Sequence, residues 1–326
     1  MEEQQIFQQR TDLTALNQAV MSIRNEIKKI IVGQDDMVRL IITALLADGH
    51  VLIEGVPGVA KTMTAKLVAK SVTAGFSRIQ FTPDLMPSDV LGTPVFNPKE
   101  AVFDFKKGPV FSNIVLVDEI NRAPAKTQSA LLEIMEERQA TVDGKTYMMA
   151  SPFMVLATQN PVEQEGTYRL PEAQLDRFLF KIMVPYPTEA EETNILTQFH
   201  NMGNATALDM IKPVLGAQQI VALRQQIKTL VIEEKLLQFI AKLIHQTRNN
   251  KSLYLGASPR ASLAIMNASK AMAAIQGRDF VTPEDILAIV PPVLRHRIIL
   301  SPDKEMEGVT EDDVIKQIVQ GMDVPR

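Results

Sequence analysis

The stretch Val51-Leu52-Ile53-Glu54-Gly55-Val56-Pro57-Gly58-Val59-Ala60-Lys61-Thr62 decides the fold of this chain. Its first three residues are a short apolar run of the kind that fills a buried strand. The two glycines and the proline break that strand, and Met63–Ser71 then reads as helix. A strand, a glycine-bearing loop and a helix, in that order and with Lys-Thr at the junction, are the context of a phosphate-binding loop. Glycine lets the backbone turn its N–H groups inward over phosphate oxygens, and the helix N-terminus adds partial positive charge there. Gly55, Val56, Pro57, Gly58, Val59, Ala60, Lys61, Thr62 and Met63 are the candidate nucleotide contacts. Lys61 would reach the β- and γ-phosphates and Thr62 would place its hydroxyl on Mg²⁺. The strict pattern asks for glycine at position 60, where this chain has alanine. Near helical torsions a Cβ costs little there, whereas a positive φ would strain the loop.

Downstream, Ile114-Val115-Leu116-Val117-Asp118-Glu119 is an apolar strand that ends in two carboxylates. Ligands of open α/β sheets bind at the carboxyl ends of strands. Asp118 is therefore a candidate metal residue, and Glu119 a candidate to orient or activate an attacking water. Phe153–Ala157 is another apolar run, followed by Thr158-Gln159-Asn160. Asn160 would direct its amide at the γ-phosphate or the water. Phe178–Val184 is a further strand, and Arg78–Phe81 a weaker fifth. Apolar runs without alternation belong to strands covered on both faces, as in parallel sheets. Two helical patterns precede them: Leu13, Leu16, Val20, Ile23, Ile27 and Ile30, stepping by three and four, and then Asp35–Ala47. The fold class is α/β, a doubly wound layer.

Tyr186-Pro187 reads as a hinge, and beyond it the pattern is helical without a convincing strand. Leu236, Leu237, Ile240, Leu243 and Ile244 form one apolar stripe; Leu263, Met266 and Ile275 belong to another. Thr282-Pro283-Glu284-Asp285 is an N-cap with Pro at N1 and acids in the first turn. The expected domains are an α/β core over 1–187 and a helical domain over 188–326.

With 326 residues the chain has room for about two domains. It has no cysteine, which excludes disulfides, thiolate metal sites and a Cys nucleophile. Its four histidines are scattered, with no metal-ligand spacing. Apolar runs such as Leu40–Ala47 and Ile286–Leu294, the latter interrupted by Pro291-Pro292, fall far short of a membrane span. The polar stretch Met1–Arg10 carries no apolar signal segment, so a cytoplasmic location is expected. A net charge of −4 opposes a protein that coats nucleic acid by bulk charge.

Together these segments resemble the MoxR group of AAA+ ATPases. The motifs that carry the resemblance are Ile31-Val32-Gly33-Gln34, Glu54–Thr62, Val117-Asp118-Glu119-Ile120-Asn121-Arg122-Ala123-Pro124, Ala157-Thr158-Gln159-Asn160-Pro161, Leu170–Phe178 and Gly256-Ala257-Ser258-Pro259-Arg260. They stand in family order from residue 31 to 260, and alanine at position 60 looks usual for the group. The resemblance implies a P-loop core with a parallel five-stranded sheet, followed by an all-α lid. It implies that Val32 and Gly33 lie against adenine, that Asn160 is sensor 1 and Arg260 sensor 2, and that Arg177 is an arginine finger acting on a neighbouring subunit's nucleotide. On the residues alone, Arg177 would pair with Glu172 or Asp176. Arg122 would bridge subunits or cap a loop.

The segment 81–111 is punctuated by five prolines and holds five of the 13 phenylalanines, which suggests a packed hairpin. The resemblance makes it the helix-2 insert. Around 140–152, Asp143-Gly144 between strand-like pieces signals a second hairpin. By resemblance it precedes sensor 1, and it serves either to grip substrate or to pack against a neighbour. The implied function is Mg²⁺-dependent ATP hydrolysis in a homo-oligomeric ring, a hexamer, that remodels or matures protein partners, von Willebrand factor A domain proteins among them. The competing classes are a magnesium-chelatase-like metal-insertion subunit, a nucleic-acid motor and a scaffold that never hydrolyses. The hairpin's single Lys and absence of Arg oppose the motor, and Asp118 with Glu119 opposes the scaffold.

Overall fold

The protein's structure, a computed structural model, describes residues 12–161, 167–202 and 207–325. The polar Met1–Arg10 stretch lies outside them. The chain forms two compact units, one of residues 23–221 and one of residues 1–22 with 222–326.

The larger unit is built around a sheet. Helix α1 (Thr14–Lys28) enters it partway along, and α2 (Asp35–Leu46) leads into β1 (Val51–Gly55). Then come α3 (Lys61–Ser71), the two-residue β2 (Val72–Thr73) and β3 (Phe76–Gln80). The segment after β3 folds as α4 (Pro87–Leu91) and a hairpin of β4 (Gly92–Asn97) and β5 (Val102–Lys107). Next are β6 (Ile114–Asp118) and α5 (Ala125–Glu137), then the hairpin of β7 (Gln139–Val142) and β8 (Lys145–Met148). The unit continues with β9 (Met154–Gln159), α6 (Glu172–Leu175), β10 (Phe180–Val184), α7 (Glu189–Met202) and β11 (Leu215–Gly216).

Five strands pair in the order β10-β1-β9-β6-β3, all parallel. The three inner strands are buried along their whole apolar length, because helices cover both faces. The edge strand β3 instead alternates: Ile79 is buried while Arg78 and Gln80 are exposed. β1, β6 and β9 end together, which brings Gly55, Asp118 and Gln159 to one rim of the sheet. Phe81, Phe178 and Leu131 are fully buried in the core on one side. The two hairpins share an aromatic cluster: Phe105 lies 4.3 Å from Tyr147 and 5.8 Å from Phe111, centroid to centroid. The tip of the β4–β5 hairpin is different. Phe96 and Phe103 pack against each other at 5.3 Å, their rings tilted by 56°, and stay exposed, 52% and 68%.

Helix α8 (Ala217–Lys228) leads into the smaller unit, where α9 (Glu234–Arg248), β12 (Leu253–Leu255), α10 (Pro259–Ile275) and α11 (Pro283–Leu294) follow. The unit ends with β13 (Ile299–Leu300), α12 (Pro302–Met306) and α13 (Glu311–Gln320). Four expectations change here. Short strands do occur beyond residue 187: β11 joins β2 in the larger unit, and β12 joins β13 in this one. The hinge expected at Tyr186-Pro187 falls inside the larger unit. The apolar stripe of α10 is also phased differently. Leu263 is 59% exposed, and the buried face sets Ile265, Met272 and Ile275 among alanines such as Ala261 and Ala268, which permit close helix packing. In α9, Leu237 likewise stands outside the buried stripe. Helix α11 runs through Pro291-Pro292 to Leu294. Among the described residues, no helix is long and apolar enough to cross a membrane.

Candidate nucleotide site

At the rim of the sheet, the chain from Gly55 to Lys61 turns back into α3 through two left-handed residues. Gly58 has φ +87°, and a Cβ added to it would meet nothing within 4 Å, so the loop faces open space. Ala60 has φ +59° and ψ +19°, the strained alternative for this position. Lys61 bends back beneath the loop: its Nζ donates to the carbonyl of Gly55, to that of Val56 at 3.2 Å and to that of Gln159 at 3.3 Å. The ammonium is thereby held between the ends of β1 and β9.

Thr62, one residue on, donates its hydroxyl to Asp118 Oδ1 at 2.9 Å. Thr158 on β9 donates to the same oxygen at 3.1 Å. The second oxygen, Oδ2, is taken by Arg78 Nε at 2.6 Å. Asp118 is buried, its side chain only 4% exposed, so its charge is met by three donors in place of water. Glu119 sits at φ +58°, ψ +52°, where the strand stops and a 3₁₀ turn (Ile120–Arg122) begins. Its backbone N–H donates to Thr158 Oγ1 at 3.1 Å. Its carboxylate accepts from Gln80 Nε2 at 2.8 Å and pairs with Arg122 Nε at 3.2 Å. Arg122 is thus engaged within its own loop.

These side chains surround one cavity of about 440 Å³. Pro57, Gly58, Val59, Ala60, Lys61, Thr62, Met63, Asp118, Glu119 and Asn160 all line it. Asn160 is 6% exposed. Val32 and Gly33 do not line the cavity. Gly33 has φ +75° and lies against the start of α7, where an added Cβ would sit 2.4 Å from the Glu191 carboxylate. Gly55 and Val56 contribute carbonyls to Lys61 but no lining. Arg177 pairs through Nε with Glu136 Oε2 on α5 at 2.7 Å, a partner 41 positions away that local spacing does not reveal. Arg260 is exposed as the second residue of α10 and belongs to the smaller unit. Sequence reasoning passed over Lys66, Arg78, Gln80 and Thr158, which also line the cavity. The signal available for Arg78 and Gln80 was the alternation Arg-Ile-Gln, which puts both on one face of β3.

The donor set suits a nucleotide with a hard cation. A hydroxyl and a carboxylate oxygen stand together at Thr62 and Asp118, with a lysine ammonium and a helix N-terminus beside them. Mg²⁺ is held by one or two protein oxygens plus substrate phosphates, not by an all-protein cage.

Residues 50–180 match the model of the ATPase family associated with various cellular activities (AAA), and residues 245–318 match the AAA lid domain. The chain is 46% identical to the uncharacterised protein YeaC of Bacillus subtilis, covering 92% of each. It is 44% identical to the chaperone MoxR1 of Mycobacterium tuberculosis, covering 92% of this chain and 81% of that one. A crystal structure of a candidate ATPase from Cytophaga hutchinsonii superposes with a TM-score of 0.85 at 41% identity, covering 96% of this chain and 99% of the other.

Proposed function

Since the chain belongs to the MoxR group of AAA+ ATPases, we propose that it hydrolyses ATP to ADP and phosphate, and that the cycle drives remodelling of protein clients by a homo-oligomeric ring. The observation that carries this reading is the meeting of Thr62, Asp118 and Lys61 at one cavity, with Glu119 at its wall. Phosphoryl transfer needs little more than positioning and charge. The loop amides and the α3 N-terminus bind the phosphates, and Lys61 adds a cation between the ends of β1 and β9. Mg²⁺, held by Thr62 and Asp118, would neutralise charge on the phosphate oxygens. Glu119 accepts the proton of the attacking water, whose oxygen forms the new bond to phosphorus as the bond to the ADP oxygen breaks. Asn160 orients that water or the γ-phosphate. Arg177 supplies a cation to a neighbouring subunit's nucleotide, and Arg260 is the sensor 2 residue.

The exposed Phe96–Phe103 pair supports the client side of the reading, because apolar side chains at a hairpin tip suit contact with protein more than with a phosphate backbone. The chaperone MoxR1 supports it by kinship. The deciding experiment compares two variants by nucleotide binding and by phosphate release. Glu119→Gln should bind ATP as the parent does and lose turnover by about a hundredfold or more. Lys61→Ala should lose nucleotide binding. Unchanged turnover in the first removes the water-activation role; undiminished affinity in the second removes the phosphate-loop role.

A further inference from the structure

Arg78 has no part in the chemistry just described, yet it makes one of the shortest polar contacts in the cavity. Its Nε stands 2.6 Å from Asp118 Oδ2, while Thr62 and Thr158 share Oδ1. The pairing follows from the sheet. β3 lies beside β6 in parallel register, with Arg78 opposite Leu116 and Gln80 opposite Asp118. Arg78 therefore starts two positions short of Asp118, and its long side chain reaches forward to the carboxylate. The two partners differ in exposure, 45% for Arg78 against 4% for Asp118. The carboxylate is fixed in the fold, whereas the guanidinium is on a flexible stem at the solvent edge of the cavity.

We infer that Arg78 is a positioning residue that acts as a placeholder cation, holding Asp118 when no divalent ion does and releasing it when the metal–nucleotide complex enters. The inference rests on the phosphate-loop reading above. A buried carboxylate without a counter-charge is costly, so the metal-free protein needs a cation at Asp118. A guanidinium covering Oδ2 also competes with a divalent ion for the same negative charge. Arg78 is well placed to be displaced, because its other hand already has an acceptor: Nη2 donates to Gln80 Oε1 at 3.3 Å. Gln80 in turn holds Glu119 at 2.8 Å, so the hydrogen bonds run unbroken from Asp118 through β3 to Glu119. Departure of Arg78 from Asp118 is then felt at Glu119.

The test uses the full-length chain with Mn²⁺ and ADP as probes. Mn²⁺ affinity is read by electron paramagnetic resonance at saturating ADP, and melting temperature is read with and without Mn²⁺–ADP. Arg78→Gln should bind Mn²⁺ about tenfold more tightly, the effect of removing one competing charge beside a buried carboxylate. It should melt lower than the parent without metal, and Mn²⁺–ADP should close that gap. Arg78→Lys, which keeps the charge, should restore metal affinity to near the parent value. In an Asp118→Asn background, Arg78→Gln should no longer lower the metal-free melting temperature. Unchanged or weaker Mn²⁺ affinity in Arg78→Gln overturns the placeholder role, as does an equal loss of stability in both backgrounds. A parent protein that binds no Mn²⁺–ADP overturns the phosphate-loop reading and this inference together. Normal parental binding with an unresponsive Arg78→Gln overturns this inference alone.

Discussion

Two residues at the site occupy left-handed backbone without being glycine: Ala60 at φ +59° and Glu119 at φ +58°. A Cβ in that region costs about 1–2 kcal/mol. Such torsions persist where the surrounding structure over-determines them, often at functional sites. At Glu119 the side chain is needed, so the strain cannot be removed without removing the proposed chemistry. At Ala60 the methyl has no assigned task. Ala60→Gly should therefore relieve the strain, partly offset by the greater freedom of glycine in the unfolded chain, for a net gain of about 0.5–1 kcal/mol. Urea denaturation reads it as a higher midpoint with unchanged slope. ADP affinity should stay near the parent value, since phosphate binding uses backbone N–H groups. A lower midpoint would show that position 60 does not need a positive φ. The Gly-to-Ala change was visible from the motif, but its cost was not, because torsion depends on how the loop meets Lys61.

Capping shows how one local motif takes on different weights in different surroundings. Thr282 with Asp285 caps α11 and Thr310 with Asp313 caps α13; in both, the threonine N–H donates to the aspartate, and in α13 the Asp313 N–H also donates back to the Thr310 hydroxyl. Asp313 is exposed and its carboxyl is held below the usual range by hydrogen bonds from Thr310. Asp285 is 1% exposed and receives both hands of Arg278, at 2.6 and 2.7 Å, besides the Thr282 N–H. That grip raises the Arg278 guanidinium further above its ordinary value. Thr310→Ala should cost about 1 kcal/mol, the ordinary value of a cap. Asp285→Ala should cost about 3 kcal/mol or more, since it strips a half-buried guanidinium of its partner as well as the cap. Equal losses in thermal melts would mean that Arg278 finds compensation in solvent. The sequence displayed the α11 cap at Thr282–Asp285, and it displayed β1, β6 and β9, whose residues are apolar because helices cover both faces. β3 read weakly because an edge strand needs only one buried face, and Arg78 and Gln80 occupy the other. β2, β11 and β13 have two residues each, too few to show any period. The α10 face was misphased because its packing surface is built from alanines, which a search for large apolar side chains passes over.

At the scale of the whole molecule, what matters is what one chain lacks by itself. The cavity collects Lys61, Thr62, Asp118, Glu119 and Asn160 but not Arg177, which lies half-buried against Glu136. If Arg177 serves a neighbouring subunit's nucleotide, then activity belongs to the assembly. Arg177→Ala should lower hydrolysis by about 10³-fold while sparing ATP affinity. A mixing experiment separates this from a merely structural ion pair. Lys61→Ala has a dead site and an intact finger; Arg177→Ala has the reverse. Mixed in equal amounts, they should recover part of the parental phosphate release, because some Arg177→Ala sites then receive the finger of a Lys61→Ala neighbour. The recovered rate should rise with total protein concentration, as association requires. A finger acting within its own chain predicts no recovery at any ratio. A purely structural Arg177–Glu136 pair predicts that Glu136→Ala and Arg177→Ala lose stability alike and that Arg177→Ala keeps most of its turnover. The two carboxylates were legible in sequence because they end one strand; the partner of Arg177 was not, because α5 brings Glu136 to it from 41 residues upstream.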